Sequence, residues 1–174
     1  MASILNVDEI KTASGTAAKI DVHGFSVAVI ADEKGYNVNG GASSVGFNDR
    51  DLNTEVFDPD NIVSLSSNQF TLGAGTYIIE FSCPCYAGGQ NQSQLYDVTN
   101  STAVENGISV YGHNSYGGQT VSSGYARVSI TANTTYKLRH YITVAKTVNG
   151  LGVSVGVSSL GNNVYSLVKI TKLA

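Results

Sequence analysis

Charge is scarce in this chain. Asp, Glu, Lys and Arg together make up 13% of its 174 residues, against roughly 25% in an ordinary domain. A free monomer covers itself with such groups, whereas the centre of an interface excludes them. The scarcity therefore predicts a permanent assembly. Trp is absent, and Pro and Cys occur twice each. No segment approaches the roughly 20 consecutive apolar residues of a membrane-crossing helix. The ten basic residues are scattered and the net charge is −3, so nothing concentrates cations on one face for nucleic acid. The opening MASILNVDEI carries acids early and lacks the basic and apolar regions of a secretory signal. That predicts a protein made in a cytosol and not exported by a signal peptide. Without a secretory route, the sequons at Asn91, Asn100 and Asn133 stay unused.

The chain is also poor in the groups that catalyse. No phosphate-binding loop and no G-x-S-x-G elbow occurs. Cys83 and Cys85 flank Pro84 in CPC; a disulfide across one residue is strained, so both are expected as small reduced thiols. His23, His113 and His140 show no ligand spacing. Acid pairs occur at Asp49 with Asp51 and at Asp58 with Asp60. Such carboxylates serve glycoside hydrolysis only across a fixed cleft, and calcium only with several further oxygens. Turn formation is the commoner role, which leaves Asp58 and Asp60 as weak metal candidates. No cofactor and no enzymatic activity are expected.

What the chain has is β-pattern. Short runs rich in Val, Ile, Thr and Tyr are separated by Gly, Asn and Ser. Strands are expected at 25–31, 43–47, 61–65, 69–72, 75–83, 93–99, 106–112, 120–131, 135–145, 151–159 and 163–173. No long 3.6-residue apolar period predicts a helix. Asn39-Gly40 and Asn149-Gly150 have the composition of positive-φ turns, and Ala132-Asn133 divides two strands. Short strands at this spacing give a sandwich or barrel of Greek-key type. In 135–145, Tyr136, Leu138, His140, Ile142 and Val144 share one face and Lys137, Arg139, Tyr141 and Thr143 the other. The first set is expected inside, which makes His140 a core or interface histidine rather than a catalyst. In 163–173 the alternation is less clean, so that strand lies centrally or against a partner chain.

Two segments stand apart. Residues 1–23 hold Ile4, Leu5, Val7 and Ile10 ahead of a small TASGTAA. The piece is too short to bury its own apolar residues and is expected to be an arm that docks elsewhere, with the head at 24–174. The segments CYAGGQNQ (85–92) and YGHNSYGGQT (111–120) are expected to be loops. Their Tyr, Gly, Asn and Gln suit adaptable recognition, including saccharides, with Tyr86, His113 and Tyr116 the candidate contacts.

Five pieces then fall in order: FSVAV (25–29), Val45-Gly46-Phe47, Phe57-Asp58-Pro59, Phe70-Thr71 and Gly75-Thr76-Tyr77. This order resembles the globular heads of complement and related proteins, of the tumour necrosis factor superfamily fold. LNTEVFDPDNIVSLSSNQFTLGAGTYIIEF (52–81), with QLYDVT (94–99) after it, is also similar to modules on tailed-phage fibres and virion decorations. The stretch SILNVDEIKTASGT (3–16) resembles the N-terminal segments of phage fibre-type proteins. The resemblance implies an all-β, ten-stranded jelly roll that trimerises about a threefold axis and displays loops at its apex. It implies that Tyr77, Ile79 and Phe81 line the core, their aromatic side approaching the axis, with Tyr136 and His140 as further core or trimer candidates. The function it implies is a capsid decoration (cement) protein on the virion surface, made in the host cytoplasm and anchored by its arm. The alternative is a short tail fibre or knob that binds a host receptor. The expected partners are two further copies of the chain, a major capsid or tail protein, and a host surface saccharide.

Overall fold

A computed structural model describes residues 25–173. The arm 1–23, with Ile4, Leu5, Val7, Ile10 and His23, lies outside them. Twelve strands follow one another: β1 Ser26–Lys34, β2 Gly46–Asp49, β3 Thr54–Phe57, β4 Val63–Ser66, β5 Gln69–Leu72, β6 Gly75–Tyr86, β7 Gly89–Asp97, β8 Thr102–Asn106, β9 Val110–Gly112, β10 Gln119–Ile130, β11 Thr134–Ile142 and β12 Asn163–Leu173. They form two antiparallel sheets. One has the order β10-β6-β12-β1-β3; the other runs β4-β5-β11-β7-β8, with β2 also on β11 and β9 also on β7. The described residues form an all-β jelly roll with twelve strands rather than the ten that the resemblance implies. Two short strands have no counterpart among the eleven expected segments: β3 in NTEVF, and β8, which shares only Asn106 with the expected 106–112.

The core lies between the sheets. Ala28, Ile30, Tyr77, Ile79, Phe81, Val168 and Ile170 meet Phe70, Leu72, Leu95, Tyr136 and Leu138. Phe70 and Tyr136 stack with centroids 5.6 Å apart. Each fully buried large side chain here contributes about 1.5–3 kcal/mol relative to exposure. Tyr77 is buried to its ring, yet its hydroxyl donates to the Gly73 carbonyl at 3.0 Å. Gly73-Ala74-Gly75 carries the chain from one sheet to the other, and Gly75 sits at φ +155°. The abrupt glycine entry into β6 is thus a crossing between layers, closed by a hydrogen bond from its own first aromatic residue.

Four local expectations are corrected. Residues 151–159 form no strand; they run as coil into a short 3₁₀ turn, Ser158–Leu160. Gly152 and Gly156 hold positive φ there, which breaks the extended run that Val153, Val155 and Val157 imitate. Neither Asn39-Gly40 nor Asn149-Gly150 has positive φ. These glycines serve close approach instead: a Cβ on Gly40 would lie 2.5 Å from the Leu151 carbonyl oxygen, and one on Gly150 would strike Ser43. A tight two-residue turn is found instead at Ser67-Asn68, at φ +52° and +62°, joining β4 to β5. Finally, Ala132-Asn133 does not close a hairpin, because β10 and β11 belong to different sheets.

The uneven alternation of β12 has a geometric cause. Ala31 pairs Leu167 but Glu33 pairs Val164, so β12 carries one extra residue against β1. This bulge reverses the faces on either side of it. Tyr165 and Ser166 are both buried, whereas Val164 and Leu167 both face out. The strand is the middle one of its sheet.

Candidate functional site

The five residues placed on the core or axis all lie inside one chain. Tyr77, Ile79, Phe81, Tyr136 and His140 are at most 3% exposed. Their side chains fill the sandwich and present nothing to another copy. His140 belongs to a polar layer at one end of this core. Its Nε2 donates to Asn91 Oδ1 at 2.9 Å, while Asn91 Nδ2 donates to the Gly89 carbonyl. His140 Nδ1 is buried with no partner among the described residues. Burial and the nearby Arg50 guanidinium push the imidazole down to about 3, so the ring is neutral at ordinary pH.

Arg50 is the feature that sequence reading missed. It stands between Asp49 and Asp51 in NDRDLN, which looks like a solvated loop. Instead its side chain is 1% exposed. Nε donates to Ser166 Oγ at 2.8 Å, Nη1 to the Pro84 carbonyl at 3.1 Å and Nη2 to the Leu151 carbonyl at 2.8 Å. The neighbouring acids turn outward, Asp49 to Lys137 at 2.8 Å and Asp51 to Lys34 at 2.7 Å. Cys83 and Cys85 are free, buried thiols in this layer. Burial raises both, Cys85 to about 11. Sealed thiols and a neutral, sealed imidazole offer no reachable nucleophile or base; the layer joins the sheets rather than performing chemistry.

The acid pair in DPDN is a turn. Asp58 accepts from the backbone N–H groups of Ile62 at 3.0 Å and Val63 at 2.9 Å, while Asn61 takes φ +52°. That is the ordinary Asx role. Asp60 is exposed.

The three apex candidates do come together. Residues 113–118 join β9 to β10, and Tyr86 ends β6 directly beside them, opposite Gln119. A Cβ on Gly117 would lie 2.7 Å from the Tyr86 hydroxyl. His113 Nδ1 accepts from the N–H groups of Ser115 and Tyr116, both at 3.2 Å, and its ring lies 4.7 Å from that of Tyr116. Tyr116 is 90% exposed. Residues 89–92, by contrast, were expected in a loop and are strand; they open β7.

That strand helps form a cleft on the outer face of the seven-stranded sheet. The cleft has a volume of about 440 Å³ and is lined by Phe47 on β2, Tyr141 near the end of β11, Thr143 just beyond it, four amide residues on β7 and Asn106 with Ser109. The register explains the grouping: Tyr141 pairs both Phe47 and Gln92. The outward set Lys137, Arg139, Tyr141 and Thr143 was legible from alternation, and strands were expected at 43–47 and 93–99; their pairing on either side of β11 was not legible.

Comparison with known proteins agrees with this architecture. No protein-family profile and no curated protein sequence matches the chain. Solved structures do. The globular domain of zebrafish complement 1qA superposes with a TM-score of 0.51 at 11% identity, over 83% of this chain and 94% of that one. Murine APRIL gives 0.57 at 9% identity at pH 5.0, and 0.55 at 10% at pH 8.0, each over 86% of this chain and all of that one. The chain therefore shares the jelly-roll fold of complement heads and tumour necrosis factor-like proteins.

Proposed function

We propose that the chain is a non-enzymatic virion-surface protein: a homotrimeric capsid decoration whose head is the jelly roll and whose residues 1–23 form the anchoring arm. The observation that supports assembly is the outward face of the five-stranded sheet. Val121 and Tyr125 on β10, Val164 and Leu167 on β12 and Phe57 on β3 are all exposed there, Tyr125 at 59%. The solvent face of an antiparallel sheet is ordinarily polar, and large apolar side chains spread over this one, around the exposed Lys169–Glu80 pair at 3.0 Å, support a contact there. The low charge of the whole chain agrees. The virion assignment rests on the motif order of residues 3–16 and 52–99. The head's loops leave room for a second reading, a receptor-binding knob, which the convergence of Tyr86, His113 and Tyr116 at one apex favours.

Sedimentation of the full chain tests the assembly: three times the chain mass is expected, and a stable monomer overturns the trimer. Copy number in purified particles tests the location. A ratio to the major capsid protein of the same order as one supports decoration. A ratio far below one moves the protein to the tail, and a chain missing from particles overturns the virion reading.

A further inference from the structure

The cleft on the outer face of the seven-stranded sheet has the chemistry of a ligand site, and its side chains are already held in place. Gln92 Nε2 donates to the Gly107 carbonyl at 2.8 Å, which leaves its Oε1 as an acceptor. Gln94 Nε2 donates to Asn106 Oδ1 at 2.6 Å, while Gln94 Oε1 accepts from Arg139 Nε at 2.6 Å. Asn106 Nδ2 is left as a donor. Thr143 Oγ1 donates to Gln90 Oε1 at 3.1 Å, leaving Gln90 Nε2 as a second donor. Among the described residues, Gln92 Oε1, Asn106 Nδ2, Gln90 Nε2 and the Tyr141 hydroxyl have no hydrogen-bond partner.

The aromatic wall is fixed as well. The Arg139 guanidinium is clamped between the Phe47 ring at 4.0 Å and the Tyr96 ring at 3.9 Å. Phe47 meets Tyr141 edge to face, with centroids 5.1 Å apart. Both rings remain close to half exposed. No charged residue is among those that line the cleft, and the guanidinium behind its wall is taken up between the Phe47 and Tyr96 rings and by Gln94. Oriented amides of both polarities beside a rigid apolar wall suit a ligand with many neutral hydroxyls and an apolar C–H face. The volume falls within the roughly 300–1,000 Å³ of small-molecule sites.

We infer that this cleft binds a neutral saccharide, its ring packed against Tyr141 and Phe47 and its hydroxyls bonded to Gln90, Gln92 and Asn106. The inference is independent of the trimer, of the virion and of the apex loops. Preformed hydrogen bonds reduce the ordering that binding requires, and carboxamides can donate to and accept from the same hydroxyl.

The test is a titration of the full, isotope-labelled chain with glucose, galactose, mannose, N-acetylglucosamine and N-acetylgalactosamine, following side-chain amide resonances by NMR. At least one sugar is expected to shift the amide signals of Gln90, Gln92 and Asn106 saturably. Gln92→Ala and Tyr141→Ala, both surface truncations, are each expected to weaken that sugar about ten-fold. Tyr116→Ala, at the apex, is expected to leave it unchanged. The inference is overturned if none of the five sugars moves the cleft amides, if shifts are confined to residues 113–118, or if folded Gln92→Ala and Tyr141→Ala proteins bind as tightly as the parent.

Discussion

Two buried polar residues set the chemistry of the interior. Arg50 ties β12, through Ser166, to the carbonyls of Pro84 and Leu151. Replacing it with Ala leaves those acceptors dry and opens a cavity. A loss of about 3–5 kcal/mol is expected, read as a lower urea midpoint; Arg50→Lys, which cannot reproduce the fork, should recover only part of it. His140 gives a pH dependence whose sign follows from its folded pKa of about 3. As pH falls below about 6.5 the unfolded chain takes up a proton that the folded chain refuses. Stability is therefore complete above that pH and declines toward pH 3, by up to about 1.4 kcal/mol per pH unit. Asp32, whose carboxyl burial holds above its usual value, opposes this at the acid end. His140→Gln should flatten the slope between pH 6.5 and 4 in denaturation series; an unchanged slope would assign it to other groups. The inward place of His140 was legible because period-two alternation needs only the strand itself. Arg50 was not, since burial of a charge depends on distant carbonyls that no local pattern reveals.

At the scale of elements, strands with dense β-branched and aromatic residues could be placed from sequence: β5 and β12 fall at the expected residues, and β6 and β10 nearly so. Errors arose where glycine decides. The run 151–159 has strand-like residues but a backbone that turns at Gly152, at φ +136°. There a Cβ would also enter the Tyr165 ring, whose hydroxyl donates to the Val38 carbonyl at 2.6 Å. Gly152→Ala adds positive-φ strain to overpacking. It is expected to cost about 2–4 kcal/mol and to lower the thermal midpoint, whereas Gly156→Ala, with open space around its Cβ position, should cost less. The cleft escaped detection for a related reason. Its amides lie in GGQNQSQ, where glycine and polar residues imitate a loop, and only pairing with β11 makes them one face of a sheet.

For the whole molecule, sequence alone indicated an all-β jelly roll, and the two-sheet order bears that out. A face for the proposed assembly was not legible, because Tyr77 and Phe81, the residues that resemblance directed toward the axis, are consumed by the chain's own core. The exposed apolar groups of β10 and β12 come from a bulge and from long-range register. If that face is the interface, Leu167→Asp combined with Tyr125→Asp should convert the assembly to a folded monomer, seen as a one-third mass with an unchanged circular dichroism spectrum. A double variant that remains trimeric would place the contact elsewhere.

The sealed CPC pair gives the molecule an internal clock. A thiol reagent such as Ellman's can register Cys83 or Cys85 only after β6 has parted from its neighbours, since both sulfur atoms are buried in the native fold. The colour that develops under native conditions therefore counts openings of β6. At low reagent its rate should track reagent concentration, and at high reagent it should level off at the opening rate itself. A population of chains that reacts instantly would be one in which β6 never closed.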